Sequence, residues 1–205
     1  MRVKICGLTT AAGLDAAVAG GADWLGFNFF PPSPRYVAPA AAAALAARAG
    51  ATPRVGLFVK PTDAEVAAVL AGVKLDILQI YDTAARAAEI RARFGLPVWL
   101  PVGVASRADL PGLIAGVDAL LVEAKPPEGA TRPGGNAVRF DWTILSGWQA
   151  PMPWLLAGGL DAGNVAAAIR ATGATAVDVS SGVEREKGVK DPALVADFIR
   201  AARAA

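Results

Sequence analysis

The sequence predicts an α/β fold, a single-domain (β/α)8 TIM barrel, on three observations. Short aliphatic runs recur eight times, most of them are followed by an Ala-rich stretch at helical spacing, and the runs read as continuously apolar. Unbroken apolar strands suit parallel strands covered on both faces. A doubly wound open sheet would show the same βα alternation. CGLTT after the first run, however, lacks the G-x-G-x-x-G turn of that fold, and the count of eight fits a closed barrel.

The elements follow in order. RVKIC (2–6) leads into AAGLDAAVAGG, WLGFNF (24–29) into PAAAAALAARAG, and RVGLF (54–58) into TDAEVAAVLAG. DILQI (76–80) leads into TAARAAEIRARFG, with Asp82 read as its N-cap, and VWLPV (98–102) into ADLPGLIAG. ALLVE (119–123) is followed by a long Pro/Gly-rich loop, AKPPEGATRPGGNAVRF (124–140), and a short DWTIL segment. WLLA (154–157) leads into AGNVAAAIRATG and AVDV (176–179) into DPALVADFIRAAR. Most helical stretches end at Gly, which suits a left-handed cap, and several begin with Thr or Asp, which suits an N-cap. A loop as long as 124–140 in a compact domain is expected to be functional or mobile, and this one is expected to be mobile without ligand. At 205 residues, one domain covering 1–205 is the expected organisation.

Composition narrows the chemistry. Hydrophobic residues make up 54% of the chain and the net charge is only +2, which fits a compact globular protein and gives no nucleic-acid footprint. Cys6 is the only cysteine and there is no histidine, so an intrachain disulfide is excluded and a zinc or haem site is not expected. No secretory leader pattern opens the chain and no apolar stretch reaches spanning length without Gly, Pro or charge. A cytoplasmic protein without a membrane or nucleic-acid partner is expected. Monomer and homodimer both fit.

In such barrels the reactive groups gather where strands end at the C-terminal face. That places Cys6 (strand 1), Arg35 (the loop after strand 2), Glu123 (strand 6) and Asp178 (strand 8) around one mouth. Two clusters, AGGL (157–160) and SSGVE (180–184), follow strands 7 and 8, where exposed backbone N–H groups commonly hold phosphate. A small phosphorylated ligand is implied.

The stretches KICGLT (4–9), GADWLGFNFFPPSPRYV (21–37), VGLFV (55–59), RPGGNAVRFDW (132–142), LLAGGLDAGNVAAAI (155–169) and VDVSSGVEREKGVKDPALVADFI (177–199) together resemble the phosphoribosylanthranilate isomerase family of tryptophan biosynthesis. The resemblance runs over nearly the whole chain. It implies an Amadori rearrangement of N-(5-phosphoribosyl)anthranilate to 1-(2-carboxyphenylamino)-1-deoxyribulose 5-phosphate, with no cofactor and no metal. It further implies Cys6 as the general base, Arg35 as the partner of the anthranilate carboxylate, Asp178 as an orienter of substrate hydroxyls, and Gly158, Gly159, Ser181 and Gly182 as phosphate-binding positions. A thiol suits the task because its ordinary pKa lies near neutrality. The plainer alternative for Cys6 is a small buried hydrophobe. For Arg35 it is a solvated surface side chain, and for Asp178 a backbone partner.

This chain departs from the family in three places. The aspartate that acts as general acid there is matched by Glu123, which reaches one methylene further; Asp178 is the fallback acid, and an ion pair of Glu123 with Lys125 is the structural alternative. LQIYD (78–82) stands where LQLHG is usual, so Gln79 is kept as a substrate-binding residue while Tyr81 and Asp82 replace His-Gly. The lysine often found after strand 5 is missing. Other readings are an isomerase of a related aminoaldose phosphate, against which Cys6 counts, and a catalytically slow or silent phosphosugar-binding barrel.

Overall fold

The computed structural model describes residues 1–125 and 141–205. Eight parallel strands close into a barrel: β1 (Arg2–Cys6), β2 (Trp24–Asn28), β3 (Arg54–Val59), β4 (Ile77–Tyr81), β5 (Val98–Val104), β6 (Ala119–Ala124), β7 (Trp154–Leu156) and β8 (Ala176–Val179), with β8 pairing back onto β1. All eight expected strands are present, with ends shifted by up to two residues. A small antiparallel pair, β9 (Glu184–Glu186) and β10 (Val189–Lys190), follows β8 and was not foreseen.

The helices are α1 (Ala11–Ala19), α2 (Pro39–Ala46), α3 (Asp63–Gly72), α4 (Ala84–Phe94), α5 (Val165–Thr172) and α6 (Pro192–Arg203). The cap of α4 is Thr83 and not Asp82: Thr83 accepts from the Arg86 N–H, while Asp82 accepts from the N–H of Thr83 at 2.7 Å. The ADLPGLIAG stretch forms only a 3-10 turn, Arg107–Asp109. Pro111 removes a helical donor and disfavours helix at the residue before it, and Gly112 and Gly116 add backbone entropy. DWTIL likewise makes a single 3-10 turn, Trp142–Leu145.

Strand alternation sorts side chains into two cores. Outward residues such as Val3, Leu25, Phe27, Leu78, Leu120 and Val177 are fully buried beneath the helices. Inward residues Trp24, Val55, Ile77, Trp99, Ala119, Leu121, Leu155 and Ala176 fill the barrel itself. Trp24 and Trp99 meet edge to face at 5.0 Å, and Arg2 lies over Trp24, so the N-terminal end is plugged. Toward the other end the same inward rows change character, to Lys4 and Cys6, Gln79 and Tyr81, Glu123, and Asp178.

Candidate active site

Alternation along β1 puts Lys4 and Cys6 on the same inward face. Lys4 has no exposed surface, and its Nζ donates to Asp178 Oδ1 at 2.8 Å, in register with it on the neighbouring strand. Burial alone would lower the Lys4 pKa, but Asp178 and the Cys6 thiol more than reverse this and hold the ammonium charged. Burial pushes the Cys6 thiol up, while Lys4 and Lys190 act against that push. Cys6 is 5% exposed, so it is as buried as the plain alternative supposes, yet it faces charges and not hydrocarbon. Gly26, its register partner on β2, leaves room for it: a Cβ there would lie 2.9 Å from the sulfur.

Across the mouth stands Glu123, buried and without an ion pair to Lys125 or any other described residue. Burial drives its pKa to about 8, while the Tyr81 phenol works in the opposite direction. Its register partner on β5 is Gly103, which carries no side chain. Burial also holds the Tyr81 phenol protonated, helped by the acidic groups Glu123, Cys6 and Asp178. Gln79, one inward step below Tyr81, is 1% exposed, and neither end of its amide has a hydrogen-bond partner among the described residues. A buried amide in that condition is costly unless something else satisfies it.

Arg35 is 5% exposed, not a solvated surface arginine. Its loop is pinned locally: the Ser33 hydroxyl accepts from the Arg35 N–H and from Asn28 Nδ2, both at 3.1 Å, and Asn28 Oδ1 accepts from the Phe30 N–H. The side chain lies against Gly7, where a Cβ would come within 2.8 Å of the arginine Cδ. Its guanidinium grips Glu184 with Nε and one terminal nitrogen.

The loops after β7 and β8 touch backbone to backbone. Gly158 and Gly159 both have positive φ, and a Cβ at Gly182 would sit 1.9 Å from the Leu160 carbonyl oxygen, so only glycine allows the contact. Ser181 opens a 3-10 turn, Ser181–Val183, beside them. The four expected phosphate positions thus lie on two adjoining loops between β7 and α6. The long loop expected to be mobile without ligand falls for the most part on residues 126–140, outside the described residues.

Cys6, Asp178, Glu123 and Gln79 are brought together inside the barrel mouth, with Arg35 and the two glycine loops at the ends of neighbouring strands. Sequence reasoning did not single out Lys4 or Lys190 as site residues; Tyr81 stood out only as a departure from the family pattern, and Ser180 and Glu184 only as members of the SSGVE cluster. Period-two spacing from Cys6 was the available signal for Lys4, whereas Lys190 arrives through the unforeseen β9–β10 pair. Among the described residues no group of His, Cys, Asp or Glu side chains is arranged to hold a metal, and no helix is long and apolar enough to cross a membrane.

Comparison with known proteins bears on this arrangement. The family model described as N-(5'phosphoribosyl)anthranilate (PRA) isomerase matches residues 3–201. The N-(5'-phosphoribosyl)anthranilate isomerase of Acidiphilium cryptum (strain JF-5) is 57% identical over 204 residues, covering 100% of this chain and 99% of that protein. Among solved structures, a phosphoribosyl anthranilate isomerase in complex with reduced 1-(o-carboxyphenylamino)-1-deoxyribulose 5-phosphate superimposes with a TM-score of 0.84 at 30% identity, with 100% of both chains covered. Monomers made from the dimeric enzyme of Thermotoga maritima give 0.82 at 30% identity, again over 100% of both chains.

Proposed function

The chain belongs to the N-(5'-phosphoribosyl)anthranilate isomerase family, and from that premise we propose how its own residues run the reaction. The enzyme is a phosphoribosylanthranilate isomerase of tryptophan biosynthesis, converting N-(5'-phosphoribosyl)anthranilate to 1-(2-carboxyphenylamino)-1-deoxyribulose 5-phosphate. One barrel domain spanning residues 1–205 carries it, working in the cytoplasm as a monomer or homodimer.

Glu123 protonates the furanose ring oxygen. The C1–O bond opens, and the anthranilate nitrogen donates its lone pair to form an iminium at C1. The Cys6 thiolate then removes the C2 proton, and those electrons flow into the iminium to give the enolamine, which tautomerises to the ketone. A carboxyl held protonated to about pH 8 can act as an acid at neutral pH, as the first step needs. The thiol presents the opposite demand: burial keeps it protonated, and the Lys4 and Lys190 ammoniums make the thiolate accessible. The cationic iminium beside the sulfur favours the thiolate further. Gln79 gains a hydrogen-bond partner from substrate, Asp178 orients hydroxyls from its position on Lys4, Arg35 takes the anthranilate carboxylate, and Gly158, Gly159, Ser181 and Gly182 take the phosphate.

The observation that carries this assignment is the strand alternation that turns Cys6, Tyr81, Glu123 and Asp178 inward at the C-terminal end of one closed barrel. Steady-state turnover of phosphoribosylanthranilate, followed by its fluorescence, tests it. Wild type is expected to turn over and Glu123→Gln to lose roughly 10²- to 10⁴-fold in kcat, the usual contribution of a general acid. A wild type that is inactive until Glu123→Asp is made would instead favour a silent phosphosugar-binding barrel.

A further inference from the structure

The SSGVE motif contributes Ser181 and Gly182 to the phosphate loops, but its glutamate has no part in the mechanism above. Glu184 lies at the start of β9, its side chain only 6% exposed, and two cations share its carboxylate. Arg35 donates from Nε to Oε1 at 2.6 Å and from a terminal nitrogen to Oε2 at 3.0 Å. Lys190, on the paired strand β10, donates to Oε1 at 2.7 Å and also to the Ser180 carbonyl at 2.9 Å and hydroxyl at 3.2 Å. Oε2 further accepts from the Gly188 N–H at 3.2 Å, and the Ser180 hydroxyl donates to the Cys6 carbonyl at 3.1 Å. Burial opposes the charge on Glu184, yet Arg35 and Lys190 outweigh it and hold the carboxyl below its usual range.

Buried ion clusters are a poor route to stability, since desolvation offsets most of the attraction. What this one does is geometric. A bidentate pair fixes both the plane and the rotation of a guanidinium. Taking the assignment of Arg35 to the anthranilate carboxylate as given, we propose that Glu184 is the positioning residue for Arg35, and that Lys190 ties its carboxylate to Ser180 at the head of the phosphate loop. The carboxylate end and the phosphate end of the substrate site are thereby held at a fixed separation by one buried carboxylate.

The test is calorimetric titration of reduced 1-(2-carboxyphenylamino)-1-deoxyribulose 5-phosphate and of the same molecule without its ring carboxylate. Wild type is expected to prefer the carboxylated ligand by about 10- to 100-fold, as a charge-assisted pair commonly gives. With Arg35 no longer aimed, Glu184→Gln should reduce that preference to about threefold or less, while inorganic phosphate still binds within about threefold of wild type. An undiminished preference, whether both ligands weaken equally or neither does, overturns the proposal, because a merely structural role weakens both alike. Should Glu184→Gln fail to fold, Glu184→Asp keeps the charge and withdraws it by one methylene: a preference between the two values supports the proposal and an undiminished one overturns it. Absence of any preference in wild type would overturn the assignment of Arg35 itself, and that failure is visible before any variant is compared.

Discussion

Two glutamates, both largely hidden from solvent, end up in opposite states on the two sides of the barrel mouth. Glu184, near β8 and β1, is gripped by Arg35 and Lys190 and held below the usual carboxylate range. Glu123, on β6, has no ion pair among the described residues, and burial carries its pKa to about 8. Burial therefore does not by itself decide the charge of a carboxyl; the neighbours supplied by adjacent strands do. The β8–β1 side is rich in ammonium and guanidinium groups that stabilise anions, including the Cys6 thiolate. The β4–β6 side offers a phenol and an amide, and keeps its acid protonated.

The largest break in this contrast comes from removing the base. Cys6→Ser is expected to lower kcat by about 10²- to 10⁴-fold while leaving phosphate affinity near wild type, because the phosphate loops lie after other strands. Equal losses in turnover and phosphate binding would mean that Cys6 holds the fold of the mouth and not the proton.

Glu123→Gln breaks the other side and should show in stability as well as turnover. Its folded pKa of about 8 lies above the unfolded value of 4.5, so between those pH values the folded state holds a proton that the unfolded chain has lost. Wild-type stability accordingly falls as pH rises through that window. Denaturant unfolding should find Glu123→Gln gaining on wild type by up to a few kcal/mol from pH 5 to pH 8; parallel stabilities across the window would contradict a neutral Glu123.

A smaller effect sharpens the comparison from the cationic side. Lys4→Met should raise the pH at which the thiol ionises by about one unit, since it removes a charge next to Cys6. As Cys6 is the only cysteine, thiolate absorbance in the ultraviolet reports this without ambiguity. An unmoved titration would assign Lys4 to Asp178 alone. The smallest change expected is from Tyr81→Phe, which removes a phenol that favours the charged form of Glu123. The carboxyl should then titrate at still higher pH, with a loss in kcat of about tenfold or less.

Much of this was legible in the sequence. The eight strands are visible because inward and outward positions are both apolar, and the barrel follows from their number. Cys6, Arg35, Asp178 and Glu123 could be placed at the mouth because strand ends converge there. The ADLPGLIAG stretch misled, since its aliphatic spacing suggests a helix while Pro111 and two glycines forbid one. Lys190 was hidden for another reason: it reaches Ser180 and Glu184 through a two-residue strand too short to leave a periodic signal. Tyr81 could be recognised as a departure from the family pattern, but its influence on the Glu123 carboxyl depends on barrel closure bringing β4 and β6 to one mouth.

A base and an acid are held in opposed surroundings, and the pH dependence of kcat/KM for wild type beside Glu123→Gln tests that most directly. Wild type should give a bell with one limb near pH 8, and the variant should lose one limb, its residual activity rising steadily as the thiol ionises. A variant that keeps both limbs would show that Glu123 is not the acid.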